Sequence, residues 1–194
     1  MRRGPSRRSV VLRTPFVYAT PMSDLVIRRY RDADHDAVWH VHNAALNAVD
    51  AHGGNGPWDD DLHAIPTVYL EAGGEFLVGE LDGRVVAMGA LARLDDETVE
   101  VTRMRVHPDL WRRGFGRAIL ERLEARAAEL GYRHLRLETT AGQTAAQALY
   151  RAHGYRETGR YRWRRFEVLV FDKRVESHKS RVQSQQSNSG HRAP

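Results

Sequence analysis

VTRMRVHPDLWRRGFGRAIL, residues 101–120, decides how the rest of the chain reads. Residues 99–106 read as a strand, and Pro108 ends the run because it cannot donate to a ladder. A basic turn with two glycines follows. Beyond it Ile119, Leu120, Leu123, Ala127 and Leu130 fall on one helical stripe over residues 116–130, and Gly131 stands where a helix stops. The first N–H groups of such a helix have no partner within it, and the helix dipole adds positive potential there. Gly114 and Gly116 lack Cβ atoms, so a bulky anion can approach the backbone. Arg112, Arg113 and Arg117 add charge. The combination suits a pyrophosphate. A tight turn with a solvated basic rim fits the loop taken alone equally well. The loop lacks the Gly-Lys-Ser/Thr element of a P-loop and the G-x-G-x-x-G spacing of a dinucleotide fold.

Working outward, residues 25–30 read as a strand. Asp34 then caps a helix whose apolar positions run from Ala37 to Val49, and Gly53, Gly54, Gly56 and Pro57 break it. Asp59, Asp60 and Asp61 read as caps of a short helical turn that Pro66 stops, against the alternative of an acidic cluster that attracts a cationic amine. Residues 75–81 and 84–94 form a hairpin around Asp82-Gly83. Its second arm is apolar on both faces, as a central strand should be. On the other side of the decisive segment lie a strand (134–138), a helix (143–153) closed by Gly154, and a final strand pair (156–161 and 166–171). Helices interleaved with strands and hairpins predict a mixed three-layer α/β sheet.

The segment resembles the phosphate-binding motif of the GNAT superfamily of acyl-CoA-dependent N-acyltransferases. That pattern is Gln/Arg-x-x-Gly-x-Gly/Ala after a strand ending in Val-x-Pro. Here Val106-His107-Pro108 closes the strand and Arg112, Arg113, Gly114, Phe115 and Gly116 fill the loop, with Trp111 in place of the family's Gln or Arg. AGQTAAQALYRAHGYRETG, residues 141–159, is similar to the family's second region. Gln143 replaces an Asn, Ala146 matches, and Leu149-Tyr150 and Gly154-Tyr155 follow at the family spacing. The likeness covers roughly residues 24–174. It implies an α/β/α fold whose mostly antiparallel sheet is splayed between the fourth and fifth strands.

The resemblance also implies the chemistry, which is acetyl transfer from acetyl-CoA to a primary amine. The main chain of Met104, Arg105 and Val106 would line the pantetheine arm. Amides from Arg112 to Arg117 would hold the pyrophosphate, with Gln143 and Ala146 beside the cofactor. A backbone N–H on the splayed strand would steady the oxyanion. Tyr150 matches the family's general acid for the leaving thiolate, against the alternative of core packing with Ala146 and His153. Glu100 and Glu138 are the candidate bases, with water as the third option, and either carboxylate also reads as a solvated strand residue. The acceptor pocket is expected from the first helix, residues 53–61 and the loop between the last two strands. Trp58 and Trp163 line it or pack structurally. A non-catalytic acyl-CoA-binding regulatory module is the competing reading. Family members often form dimers, so a homodimer is one expected assembly.

Composition bounds these readings. The 194 residues suit one domain with tails. Cysteine is absent, which removes disulfides, thiolate catalysis and cysteine-ligated metals, and makes a reducing cytoplasm the expected compartment. The formal charge of +5 resides at the ends, because residues 23–172 hold 20 basic and 24 acidic side chains. A basic tail binds polyanions without selecting one, so no specific nucleic-acid partner is expected. Residues 1–22 read as a basic extension ahead of a functional start near Met22, residues 23–174 as the acyltransferase domain, and residues 175–194 as a polar, disordered tail. No apolar run is long enough to span a bilayer. His35, His40, His42 and His52 read as surface histidines rather than metal ligands: His35 and His42 are spaced too far along a helix for one ion.

Overall fold

The computed structural model of the chain describes residues 24–49 and 54–175. The expected N-terminal extension, the start at Met22 and nearly all of the C-terminal tail lie outside the described residues. Val175 is the exception, and its amide donates to the Arg133 carbonyl at 2.9 Å.

One seven-stranded sheet organises the molecule. The strands are β1 (Val26–Arg29), β2 (Glu75–Leu81), β3 (Arg84–Arg93), β4 (Thr98–Val106), β5 (His134–Thr140), β6 (Arg156–Trp163) and β7 (Phe166–Arg174). Their order is β1-β2-β3-β4-β5-β7-β6, and only β4 and β5 run parallel. Three helices pack on it: α1 (His35–Asn47), α2 (Phe115–Glu129) and α3 (Thr144–Ala152). A 3-10 turn (Pro57–His63) and a π-helical turn (Pro66–Leu70) follow α1. Among the described residues no helix is long and apolar enough to cross a membrane.

Two cores result. On one face Ile119, Leu120, Leu123 and Ala127 of α2 join Val99, Val101, Leu135, Leu137 and Phe171 of the sheet. On the other face Val38 and Val41 of α1 join Leu62, Tyr69, Phe76, Val78 and Met88. Gly89 of β3 lets α2 come close. A Cβ there would stand 2.7 Å from Ile119 Cγ2 and 2.9 Å from Leu123 Cδ1, closer than packed carbon atoms can sit.

The strand between the cores is irregular. Met88 pairs with Arg105 and Ala90 with Thr102, so Gly89 faces two β4 residues across a bulge. Arg103 sits in it with φ of 54°. A second irregularity defines the site. β4 pairs with β5 only from Thr98 to Val101, against His134 to Leu137. Beyond those four pairs both strands continue without partners on that side, and the sheet splays between its fourth and fifth strands as the family resemblance implies.

Two capping assignments change. The Asp34 side chain does not cap α1. It accepts from Arg28 Nη1 (2.7 Å), Arg28 Nη2 (2.8 Å) and the Arg31 amide (2.8 Å), and the Arg28 hydrogen bonds, ahead of the opposing effect of burial, hold its carboxyl below the usual carboxylate range. Asp59 and Asp61 do not cap the 3-10 turn either, because Arg103 takes both.

Candidate active site

The splay opens into a cleft of about 1260 Å³. A single small-molecule pocket spans roughly 300–1,000 Å³, so this one has room for two substrates. One wall is the start of α2. Gly114 takes φ of 83° at the N-cap, a left-handed conformation that disfavours any residue with a Cβ. No side chain caps the helix, and the first amide bonded within it is Ala118, which donates to the Gly114 carbonyl at 3.0 Å. The amides of Gly114, Phe115, Gly116 and Arg117 therefore face the cleft end of the helix without helical partners. A Cβ at Gly116 would make only ordinary contacts, 3.7 Å to Val106 and 3.9 Å to Leu149, so the protein's own packing does not demand glycine there. Arg112, Arg113 and Arg117 are exposed around this loop.

Trp111, the residue that departs from the family pattern, has a definite place. Its indole Nε1 donates to the Val106 carbonyl at 2.8 Å and pins the loop to the end of β4. The Met104 carbonyl likewise accepts from Arg105 Nη1 at 2.8 Å. The next amide along, His107, donates to Val86 of β3, so alternation turns the main-chain groups of Met104 and Val106 toward the gap. Their carbonyls each have a partner, which leaves their N–H groups as this edge's unused donors.

α3 supplies the opposite wall. Gln143 is its N-cap residue and lines the cleft, and its Oε1 accepts from the Thr139 hydroxyl at 2.7 Å. Ala146 and Leu149 line the same wall. Gln147, which the sequence reading passed over, clamps the turn before the helix by donating to the carbonyls of Thr140 (3.1 Å) and Ala141 (3.0 Å). Tyr150 is 6% exposed, lines the cleft and packs against Tyr155 and Phe171. Packing and access to the cleft are both true of it. Burial pushes its phenol pKa up, and the nearby Arg105 charge acts in the opposite direction.

The two candidate carboxylates separate. Glu100 pairs across the zipped part of the sheet with Arg136 and does not line the cleft. Burial pushes its carboxyl up, and Glu138 adds to the shift against Arg136 and Arg103. Glu138 lies one residue past the last β4–β5 pair, lines the cleft and accepts from the Tyr161 hydroxyl at 2.5 Å. That bond, followed by burial, raises the Tyr161 pKa to about 12.

On the α1 side the cleft is walled by His42, Ala45, Leu46 and Val49, then by Gly54, Trp58 and Asp59, and by Trp163 and Arg164 from the β6–β7 turn. Both tryptophans line it, and Arg164 stacks on each, 4.4 Å from Trp58 and 4.9 Å from Trp163. His42 is fully buried rather than on the surface, with Nε2 3.3 Å from Asp59 Oδ1. His40 stacks on His107. Among the described residues no group of three or more His, Cys, Asp or Glu is placed to hold a metal.

A model of the acetyltransferase (GNAT) family matches residues 27–155. An IAA acetyltransferase from Azospirillum brasilense is 42% identical over 86 residues, which cover 43% of this chain and 56% of that protein. Across three curated relatives the chain spans from about a third to just over half of their lengths. The crystal structure of a GNAT-family acetyltransferase from Staphylococcus aureus Mu50 superposes with a TM-score of 0.72 at 18% identity, covering 79% of this chain and 100% of that one. A phosphinothricin acetyltransferase from Sinorhizobium meliloti, solved in complex with acetyl-CoA, gives 0.65 at 18% identity, covering 80% and 91%. At such identities these two structures bear on the fold alone. The matched span runs from β1 through the glycine turn, the splay and α3 to Tyr155, and on that footing the chain belongs to the acetyltransferase (GNAT) family, a family of acetyl-CoA-dependent N-acetyltransferases.

Proposed function

We propose that the chain moves the acetyl group of acetyl-CoA to a primary amine by direct attack. One observation carries the reading: an uncapped helix start, a splayed strand edge with unused N–H donors and Tyr150 all line a single cleft. The amides from Gly114 to Arg117, with Arg112, Arg113 and Arg117 around them, hold the pyrophosphate. The pantetheine arm lies along Met104, Arg105 and Val106, with Gln143 and Ala146 opposite. This places the thioester in the gap, open to an amine arriving from the α1 side.

An alkylammonium has a pKa near ~10.4, so it must first lose a proton. Glu138 at the mouth of the gap receives it, directly or through water, whereas Glu100 lies in the zipped region away from the cleft. The neutral nitrogen then attacks the thioester carbonyl carbon. The N–C bond forms, and the developing oxyanion accepts from a β4 amide. The C–S bond breaks, and Tyr150 gives its proton to the leaving thiolate. The nitrogen's second proton restores Tyr150 through water. The Tyr150 phenol carries its proton at neutral pH, and the Arg105 charge, which opposes the upward push of burial, favours its donation to a thiolate beside it.

The test is CoA release by the full chain over a panel of primary amines, with the acetylated product identified by mass spectrometry. Release with at least one amine, matched by N-acetyl product, is the expected result. Tight CoA binding without turnover on any amine would favour the binding-module reading, and neither binding nor turnover would end both.

A further inference from the structure

Two arginines stand two positions apart on β4 in opposite circumstances. Arg103 is saturated. Its Nε donates to Asp61 Oδ2 at 2.8 Å, its Nη1 to Asp59 Oδ1 at 2.9 Å and its Nη2 to the Trp58 carbonyl at 2.7 Å, with a further bond to Asp61 Oδ1. Arg105 is not. Met104 and Val106 on either side of it pack into the α2 core, so Arg105 points to the other face, the side from which an acceptor arrives. It is partly buried and lines the cleft. Among the described residues its one hydrogen bond goes to a neighbouring carbonyl, and its buried Nε has no partner.

No carboxylate of the described fold answers this charge. Asp59 and Asp61 feel it but are committed to Arg103, and Glu138 is held by Tyr161. Burial, followed by repulsion from Arg103, lowers the Arg105 pKa to about 10, as expected of a cation whose counter-charge is missing. A guanidinium offers five donors in a planar fork, and a carboxylate accepts two of them side by side. Arg105 also lies close enough to Tyr150 for their charges to interact, so an anion held there sits near the thiolate's proton donor.

We propose that Arg105 binds a carboxylate of the acceptor, so that the substrates are small amines with a carboxylate a few bonds from the nitrogen: amino acids and their close relatives. The inference rests on the acetyl-transfer reading above and narrows its acceptor class. The carboxylate anchors on Arg105 while the ammonium end turns toward Glu138 and the gap.

The test compares amino acids with their carboxamides as acceptors, in the full-length protein and in Arg105→Gln. The wild type should favour the amino acid in kcat/KM by about tenfold or more, and Arg105→Gln should collapse that ratio while the KM for acetyl-CoA stays the same. Any effect of Arg105 on Tyr150 falls on both acceptors alike and cancels in the ratio. Arg105→Lys should restore part of it. An unchanged ratio, or a raised KM for acetyl-CoA with no change in ratio, overturns the proposal. Calorimetry on CoA-loaded wild-type protein needs neither a variant nor turnover. There the amino acid should bind and its amide should not, and equal binding overturns the proposal. If no amine is acetylated but amino-acid binding is still lost in Arg105→Gln, the carboxylate site stands and only the transfer reading fails.

Discussion

The two halves of the sheet on either side of the splay are built differently. β1 to β4 are covered on both faces, by α1 and its following turns on one and by α2 on the other. That half also buries charge. Glu75, 3% exposed, takes Arg29 and Arg126, while Asp59 and Asp61 take Arg103. β5, β7 and β6 share only the α2–α3 core. Their other face carries Arg136, Glu138, Thr158 and Asp172, paired among themselves or with Tyr161, and β6 is exposed along most of its length. The difference teaches where a substrate can enter. One continuous core holds the halves together from the α2 side, and the opposite side is left to open at the gap.

Breaking the closed half should have the largest effect. Arg103→Met leaves Asp59, Asp61 and Tyr69 without their cation at a site that is only 13% exposed. Uncompensated buried charge of this kind costs about 3–5 kcal/mol, to be read by denaturant unfolding. A loss below about 1 kcal/mol would mean that the network does not hold this half together.

The second effect is on chemistry, from the open half. Tyr150→Phe keeps the ring contacts with Tyr155 and Phe171 and removes the proton. It should lower kcat by on the order of 100-fold, with CoA affinity and unfolding midpoint nearly unchanged. Equal rates would remove Tyr150 from the mechanism.

The smallest effect lies at the seam. The Glu100 carboxyl is pushed up first by burial and then by Glu138 across the junction. A carboxyl whose pKa is higher in the folded state adds stability below its unfolded value and loses it as pH rises through the folded one. Glu100→Gln should therefore raise the unfolding midpoint near pH 8 and give no gain near pH 4. A gain of the same size at both pH values would place the effect in packing rather than charge. Glu75 has the opposite sign: burial pushes it up, but Arg29 and Arg126 outweigh burial and hold it low, so its contribution is lost only as the solution turns acid.

These contrasts explain what the sequence could and could not disclose. The strand–turn–helix of residues 101–120 was legible because it depends on local pattern: a strand run ended by Pro108, two glycines, then a 3.6-residue stripe. The splay followed from family likeness, not from any local signal. Which of Glu100 and Glu138 lines the cleft was hidden because it depends on where pairing stops, a property of paired residues more than 30 positions apart in sequence. Arg103 was missed for a similar reason. Regular alternation would send it to the same face as Val101, into an apolar core, and a charge at such a position is the one sequence signal of the bulge that turns it toward Asp59 and Asp61. Asp59 and Asp61 were misread as caps because their partner, Arg103, lies 42 residues or more away. Arg105 was legible only as strand backbone, since its unanswered charge exists only once the surrounding carboxylates are committed elsewhere.

The central claim is that the bare amides at the start of α2, beside the gap, grip a diphosphate. Calorimetric titration of the full chain with CoA and with pantetheine tests it most directly, because pantetheine keeps the arm and the thiol but lacks the diphosphate and nucleotide. CoA should bind at one site and more tightly by a factor of about 100 or more, as several charge-assisted bonds require. Equal affinity for the two, or no binding of CoA, would contradict the claim.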